Sequence, residues 1–159
     1  MMKRLVFSVM VLAFLLGSST VSFSQPYSTG VGLRLGSPSG ITVKHFFASK
    51  TALEGMLSFG WGGLGITGLY EINNEIRDTP GLDWYYGFGA HIASATSNPS
   101  PWGNDHNNFY LGGDGIIGLE YTFSEAPISI AVDAMPVINL VESPSVWLQG
   151  GISFRYNFQ

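Results

Sequence analysis

The sequence predicts an all-β fold, an eight-stranded antiparallel up-and-down transmembrane β-barrel, and three observations carry that prediction. Apolar and polar side chains alternate with a period of two through eight segments separated by turn chemistry, and no helical period appears after the first 24 residues. Charged residues make up only 11% of the chain, beside 14% aromatic residues and 21 glycines, whereas a typical soluble domain is about 25% charged. The polar side of the alternation is crowded with Gly and small residues, not with the long charged side chains that a water-facing surface carries.

The amino terminus, "MMKRLVFSVMVLAFLLGSSTVSFSQ", places Lys3 and Arg4 before an apolar run from Leu5 to Leu16, then small residues. That pattern predicts a secretory signal peptide over 1–24, with Ser22 and Ser24 supplying the small-x-small cleavage site and the barrel occupying 25–159. The run is too short for a spanning helix, which needs about 20 apolar residues. No cysteine is present, so neither a lipid-acceptor thiol nor a disulfide framework is expected. About 135 residues follow the leader, enough for one domain. Without Lys3 and Arg4 the formal charge of -4 becomes -6, which excludes a sequence-independent grip on nucleic acid phosphates.

The first segment, "YSTGVGLRLG", sets Val31, Leu33 and Leu35 against Gly30, Gly32, Arg34 and Gly36, before a Ser-Pro-Ser-Gly turn at 37–40. In the second, Ile41, Val43 and Phe47 oppose Thr42 and Lys44, and His45 interrupts the apolar row. The third alternates Leu53, Leu57, Phe59 and Trp61 with Glu54, Met56, Ser58 and Gly60, and Gly62-Gly63 turns the chain. The fourth opposes Leu64, Ile66, Tyr70 and Ile72 to Gly65, Thr67, Leu69 and Glu71, and a polar link follows from Asn73 to Pro80. In the fifth, Leu82, Trp84, Tyr86, Phe88, Ala90 and Ile92 oppose Asp83, Tyr85, Gly87, Gly89 and His91, ahead of a long loop, "ATSNPSPWGNDHNN". The sixth sets Ile117, Leu119, Tyr121 and Phe123 against Asp114, Ile116, Gly118, Glu120 and Thr122. The seventh sets Ile128, Ile130, Val132 and Ala134 against Ser129, Ala131, Asp133 and Met135. The last, "GGISFRYNFQ" with the residues before it, sets Leu148, Gly150, Ile152, Phe154, Tyr156 and Phe158 against Gln149, Gly151, Ser153, Arg155 and Asn157.

A soluble barrel turns its apolar face inward, so the small, sparsely charged face here is read as the cramped interior of a closed barrel and the apolar face as lipid-facing. The expected girdles place Trp61, Trp84, Tyr110 and Trp147 at one set of strand ends and Tyr121, Phe123, Tyr156 and Phe158 at the other. With both termini on the periplasmic side, the outer connections are 37–40, 61–64, 94–108 and 138–146, and the longest faces outward.

The signal peptide, the alternation, the terminal aromatic strand and stretches such as "GLDWYYGFGAH" and "GIIGLEYTF" resemble the small eight-stranded outer-membrane β-barrels of Gram-negative bacteria, of the outer membrane protein A transmembrane domain and outer membrane protein X type. The resemblance covers 25–159. It implies residence in the outer membrane beside phospholipid and lipopolysaccharide, insertion by the barrel-assembly machinery through a terminal Phe (Phe158, with Gln159 after it), and a monomer.

Ten ionisable side chains fall on the inward face: Arg34, Lys44, Glu54, Glu71, Asp83, His91, Asp114, Glu120, Asp133 and Arg155. An unpaired buried charge costs several kcal/mol, so a ladder of ion pairs plugging the lumen is expected. The expected role is therefore structural or surface interaction. The alternatives are a narrow, porin-like path that favours cations, a lipid-modifying enzyme, and a secreted soluble lipid-binding barrel. For the enzyme, His91 with Ser94, helped by Asp83 or Asp114, is the best available constellation. Lipid A-trimming barrels carry His and Ser with one residue between them, on one face; "HIAS" puts two residues between them, which places them on opposite faces. "GWGGLG" at 60–65 and "GDGIIG" at 113–118 match G-x-G-x-x-G without a following helix, so no phosphate site is read from them. Asp105 and His106 lack metal-site spacing, and Trp102 is read as an exposed loop aromatic. No catalytic residue, cofactor or metal is assigned.

Overall fold

The computed structural model describes residues 27–60, 63–94, 109–141 and 144–159. The expected signal peptide over 1–24, Trp61, Gly62, and the expected loop residues Trp102, Asp105 and His106 lie outside the described residues. Eight strands follow in order: β1 (Thr29–Ser37), β2 (Gly40–Ala48), β3 (Thr51–Gly60), β4 (Gly63–Glu75), β5 (Leu82–Ser94), β6 (Tyr110–Thr122), β7 (Ile128–Asn139) and β8 (Ser145–Phe158). Each pairs antiparallel with its sequence neighbours, and β8 closes on β1 from Thr29 opposite Phe158 to Ser37 opposite Gly150. Among the described residues there is no helix.

The register fixes the size of the barrel. A path of paired residues from Ile128 through Tyr156, Val31, Val43, Gly55, Gly68, Ala90 and Gly113 returns to β7 at Ile138, ten residues further on. With ordinary strand spacings that stagger gives a tilt of about 40° and a backbone radius of roughly 8 Å. Such a tube has room for its own side chains and little else.

Polarity is inverted relative to a soluble protein. Phe88 on the outer face is 68% exposed, whereas Lys44 on the inner face is 0% exposed. Leu33, Leu35, Ile66, Val132, Leu148 and Ile152 are exposed with Phe88, and all ten predicted inward ionisable groups are buried. Away from the end of β1 and the irregularity between Phe46 and Ala48 the faces follow strand alternation, including His45, which points outward and hydrogen-bonds Thr29 Oγ1 through Nδ1 at 2.8 Å.

Four expectations need correction. β4 does not stop at Ile72 but continues to Glu75, because inward Asn73 accepts a hydrogen bond from Lys44 Nζ (2.8 Å) and so belongs in the lumen. The link that follows is therefore 76–81, a shorter turn than expected. β7 runs past Met135 to Asn139, with Pro136 on the outer face where its ring packs over the position of Gly115. β6 begins at Tyr110 and β8 at Ser145, so the intervening chain at that end is shorter than 138–146. Finally, the girdles differ: Trp84 lies near the terminus end, one turn of alternation above Leu82, which pairs with Tyr121. Tyr110 is buried inside and Trp147 sits on the inward register with Gln149. The described aromatic belt therefore gathers at the terminus end, in the pairs Trp84–Tyr86, Tyr121–Phe123 and Tyr156–Phe158, while Phe59 and Phe109 are the outward aromatics near the other end.

Candidate functional site

The lumen is the site that the alternation builds, and it is layered along the barrel axis. Nearest the termini, a charged network joins β2, β3, β4, β6 and β8. Lys44 Nζ lies 3.0 Å from Glu71 Oε2 and 2.9 Å from Glu120 Oε2. Arg155 sends Nη2 to Glu54 Oε1 at 2.6 Å and Nη1 to Glu120 Oε2 at 3.2 Å. Thr42 Oγ1 donates to Glu54, and the Tyr27 hydroxyl donates to Glu120 from below. Tyr27 packs edge-on against Phe46 at 5.1 Å, which floors the network. The ammonium of Lys44 also stands 4.2 Å from the centre of the Tyr85 ring, a cation–π contact worth more when desolvated, as here.

Above this network the inward apolar side chains Met56, Leu69, Tyr85, Ile116, Met135 and Val137 form one buried cluster with Ala131. Arg34 crosses the same level, holding Asp133 Oδ1 at 2.5 Å and donating to the Pro38 carbonyl at 2.6 Å. Large side chains fit in so narrow a tube because inward glycines stand beside them. A Cβ on Gly118 would lie 2.5 Å from Tyr85 Cζ, and one on Gly151 would lie 2.7 Å from Arg34 Cζ. The sequence shows these glycines on the inner face; which bulky partner each one admits follows only from the closed register.

Toward the far end, His91 Nδ1 meets Asp114 Oδ1 at 2.8 Å and Nε2 meets Asn139 Oδ1 at 3.0 Å, and Asn139 Nδ2 donates to Ser145 Oγ at 3.0 Å. Ser94, the candidate nucleophile partner of His91, is exposed on the opposite face of β5. The two side chains that sequence offered for acid–base work are thus kept apart, and the carboxylate brought to His91 is Asp114, not Asp83. Among the described residues no group of three or more His, Asp or Glu side chains is placed to hold a metal ion.

Of the ten luminal ionisable groups, seven form Lys or Arg ion pairs, His91 and Asp114 contact each other, and Asp83 has no such partner among the described residues. It lies instead at the terminus end, on the wall of a vestibule of about 700 Å³ that Glu75, Thr122, Glu125 and Asn157 also line. Sequence reasoning placed Asp83 inward correctly but missed the vestibule, because Glu75 falls in the stretch read as the polar link from Asn73 to Pro80 and Glu125 falls between the sixth and seventh segments. It also missed the apolar layer, although the signal was available: Met56, Leu69, Ile116 and Met135 sit on the polar parity of four separate strands.

No protein-family model matches the chain, and neither a curated protein nor a solved structure matches it. The chain folds as an all-β, closed, eight-stranded antiparallel barrel with an apolar exterior and a filled, ion-paired interior.

Proposed function

We propose that this protein is an outer-membrane β-barrel of a Gram-negative bacterium, exported by the signal peptide over 1–24 and inserted by the barrel-assembly machinery as a monomer. Its role in this reading is structural or surface interaction, with no catalytic step and a lumen closed by its own side chains. The observation that carries the proposal is the inverted polarity: a continuous outer surface of Leu, Ile, Val and aromatic side chains around an interior of paired charges. In water such a surface is an aggregation liability, whereas hydrocarbon favours it. Strands of 9 to 14 residues fit the span of a bilayer at the tilt that the register imposes. The Tyr and Trp side chains gathered at the terminus end suit an interface with phospholipid headgroups there, while the lipopolysaccharide leaflet would meet the far end.

Closure of the lumen is favoured over a cation-selective path because the apolar layer spans a tube of roughly 8 Å backbone radius. The proposal is tested by fractionating cells and running the protein boiled and unboiled in dodecyl sulfate. A membrane-bound species that changes mobility on heating supports it. A water-soluble species with one mobility supports the secreted lipid-binding barrel and overturns it.

A further inference from the structure

The charged layer at the terminus end has one carboxyl group more than its cations can balance. Glu54, Glu71 and Glu120 are all buried there, and only Lys44 and Arg155 oppose them. The other inward groups do not change the count: Asp133 has Arg34, His91 has Asp114 toward the far end, and Asp83 lies on the vestibule wall. At this level β5 presents Tyr85, whose ring faces the Lys44 ammonium, and Tyr27 donates its hydroxyl hydrogen to Glu120. Three carboxylates against two cations would leave a net negative charge in a closed interior, which destabilises it strongly.

The surplus falls on Glu71. Glu120 is reached by Lys44, Arg155 and Tyr27, and Glu54 by Arg155 and Thr42. Of the two cations only Lys44 pairs with Glu71, and it is shared with Glu120 and Asn73. The Glu54 and Glu71 side chains stand within hydrogen-bonding reach of each other, yet two carboxylates there have no hydrogen to share. Glu54 Oε2 and both Glu71 oxygens are buried and accept no hydrogen bond from any described donor. One proton on Glu71 answers all three observations, since a neutral carboxylic acid carries no charge, donates one hydrogen bond and does not repel its neighbour.

We infer that this layer is a proton-binding site: at neutral pH Glu71 is a neutral carboxylic acid that donates to Glu54, and loss of its proton loosens the closed lumen. Deprotonation sends the proton to solvent and leaves two adjacent carboxylates inside the barrel. Tyr27 both lines the vestibule and touches Glu120, so the layer lies one side chain from that cavity. The inference goes beyond the proposed function, because it rests on the interior alone and holds whether lipid or water surrounds the barrel.

The test is infrared spectroscopy of the full chain, refolded in ester-free detergent micelles at neutral pH. The expected spectrum contains a carboxylic-acid carbonyl band that Asp83→Asn keeps and Glu71→Gln loses. Urea unfolding supplies a second readout. The unfolded chain holds no proton on Glu71 at or above neutral pH, whereas the folded chain does, so stability falls as pH rises. The wild-type midpoint should therefore drop through the mildly alkaline range, short of Lys and Tyr titration, while that of Glu71→Gln stays nearly flat. Should Glu71→Gln not refold, the wild-type band, its survival in Asp83→Asn and the wild-type pH slope decide. Absence of the band, a band that survives Glu71→Gln, equal pH slopes in the two proteins, or a midpoint raised when sodium replaces choline at constant ionic strength would each overturn the inference, the last by placing a metal cation where the proton is assigned.

Discussion

Arg155 reaches across the barrel to Glu54, its Nη2 2.6 Å from Oε1, although β8 and β3 share no hydrogen-bonded ladder. The same guanidinium also holds Glu120. Contacts of this kind tie strands that are remote around the circumference, so they stabilise closure and not just pairing.

Arg155→Leu should therefore be among the most damaging luminal substitutions. It leaves Glu54 and Glu120 short of a counter-charge in a closed interior, at a cost of about 3–5 kcal/mol. Urea unfolding of the barrel in lipid vesicles measures this as a lowered midpoint. Adding Glu54→Leu to Arg155→Leu should recover part of the loss, since the stranded carboxylate is then gone.

Two glycines of similar chemistry should behave oppositely. Gly118→Ala places a Cβ 2.5 Å from Tyr85 Cζ inside the barrel and should cost about 1–3 kcal/mol. Gly68→Ala adds a methyl on the outer face, where nothing lies within 4 Å, and should be neutral or stabilise by about 0.5–1 kcal/mol. The same unfolding experiment compares them directly.

Ile152 faces outward at mid-strand, between buried Gln149 and Ser153 on the other register. Under the membrane reading, Ile152→Arg should cost about 2–4 kcal/mol of stability in vesicles. A water-facing position would tolerate the same change within about 0.5 kcal/mol.

The fold was legible in the sequence because strand alternation is a local signal and a one-residue slip would turn every luminal charge to the outer face. All ten buried ionisable groups were found this way. Strand ends were less legible: Asn73 and Glu75 read as linker by composition and Pro136 fell in no named segment, yet all three continue strands because a polar lumen accepts Asn and Glu, and an outer-face Pro is tolerated beside Gly115. Trp84 was placed at the wrong end since the height of a side chain depends on the stagger of the closed barrel, which only the register reveals. Partner choice inside the lumen, such as His91 with Asp114 and Asn139, brings together three strands and is invisible to spacing along one of them.

The orientation of the two faces is tested most directly by spin labels, because the chain has no cysteine and single cysteines are introduced cleanly. Labels at Leu119→Cys and Phe154→Cys, with the barrel in lipid vesicles, should collide strongly with dissolved oxygen and weakly with a water-soluble nickel chelate, while a label at Ser153→Cys should be shielded from both. Strong collision of the Leu119 and Phe154 labels with the aqueous chelate, or their burial together with free access at position 153, would contradict the account.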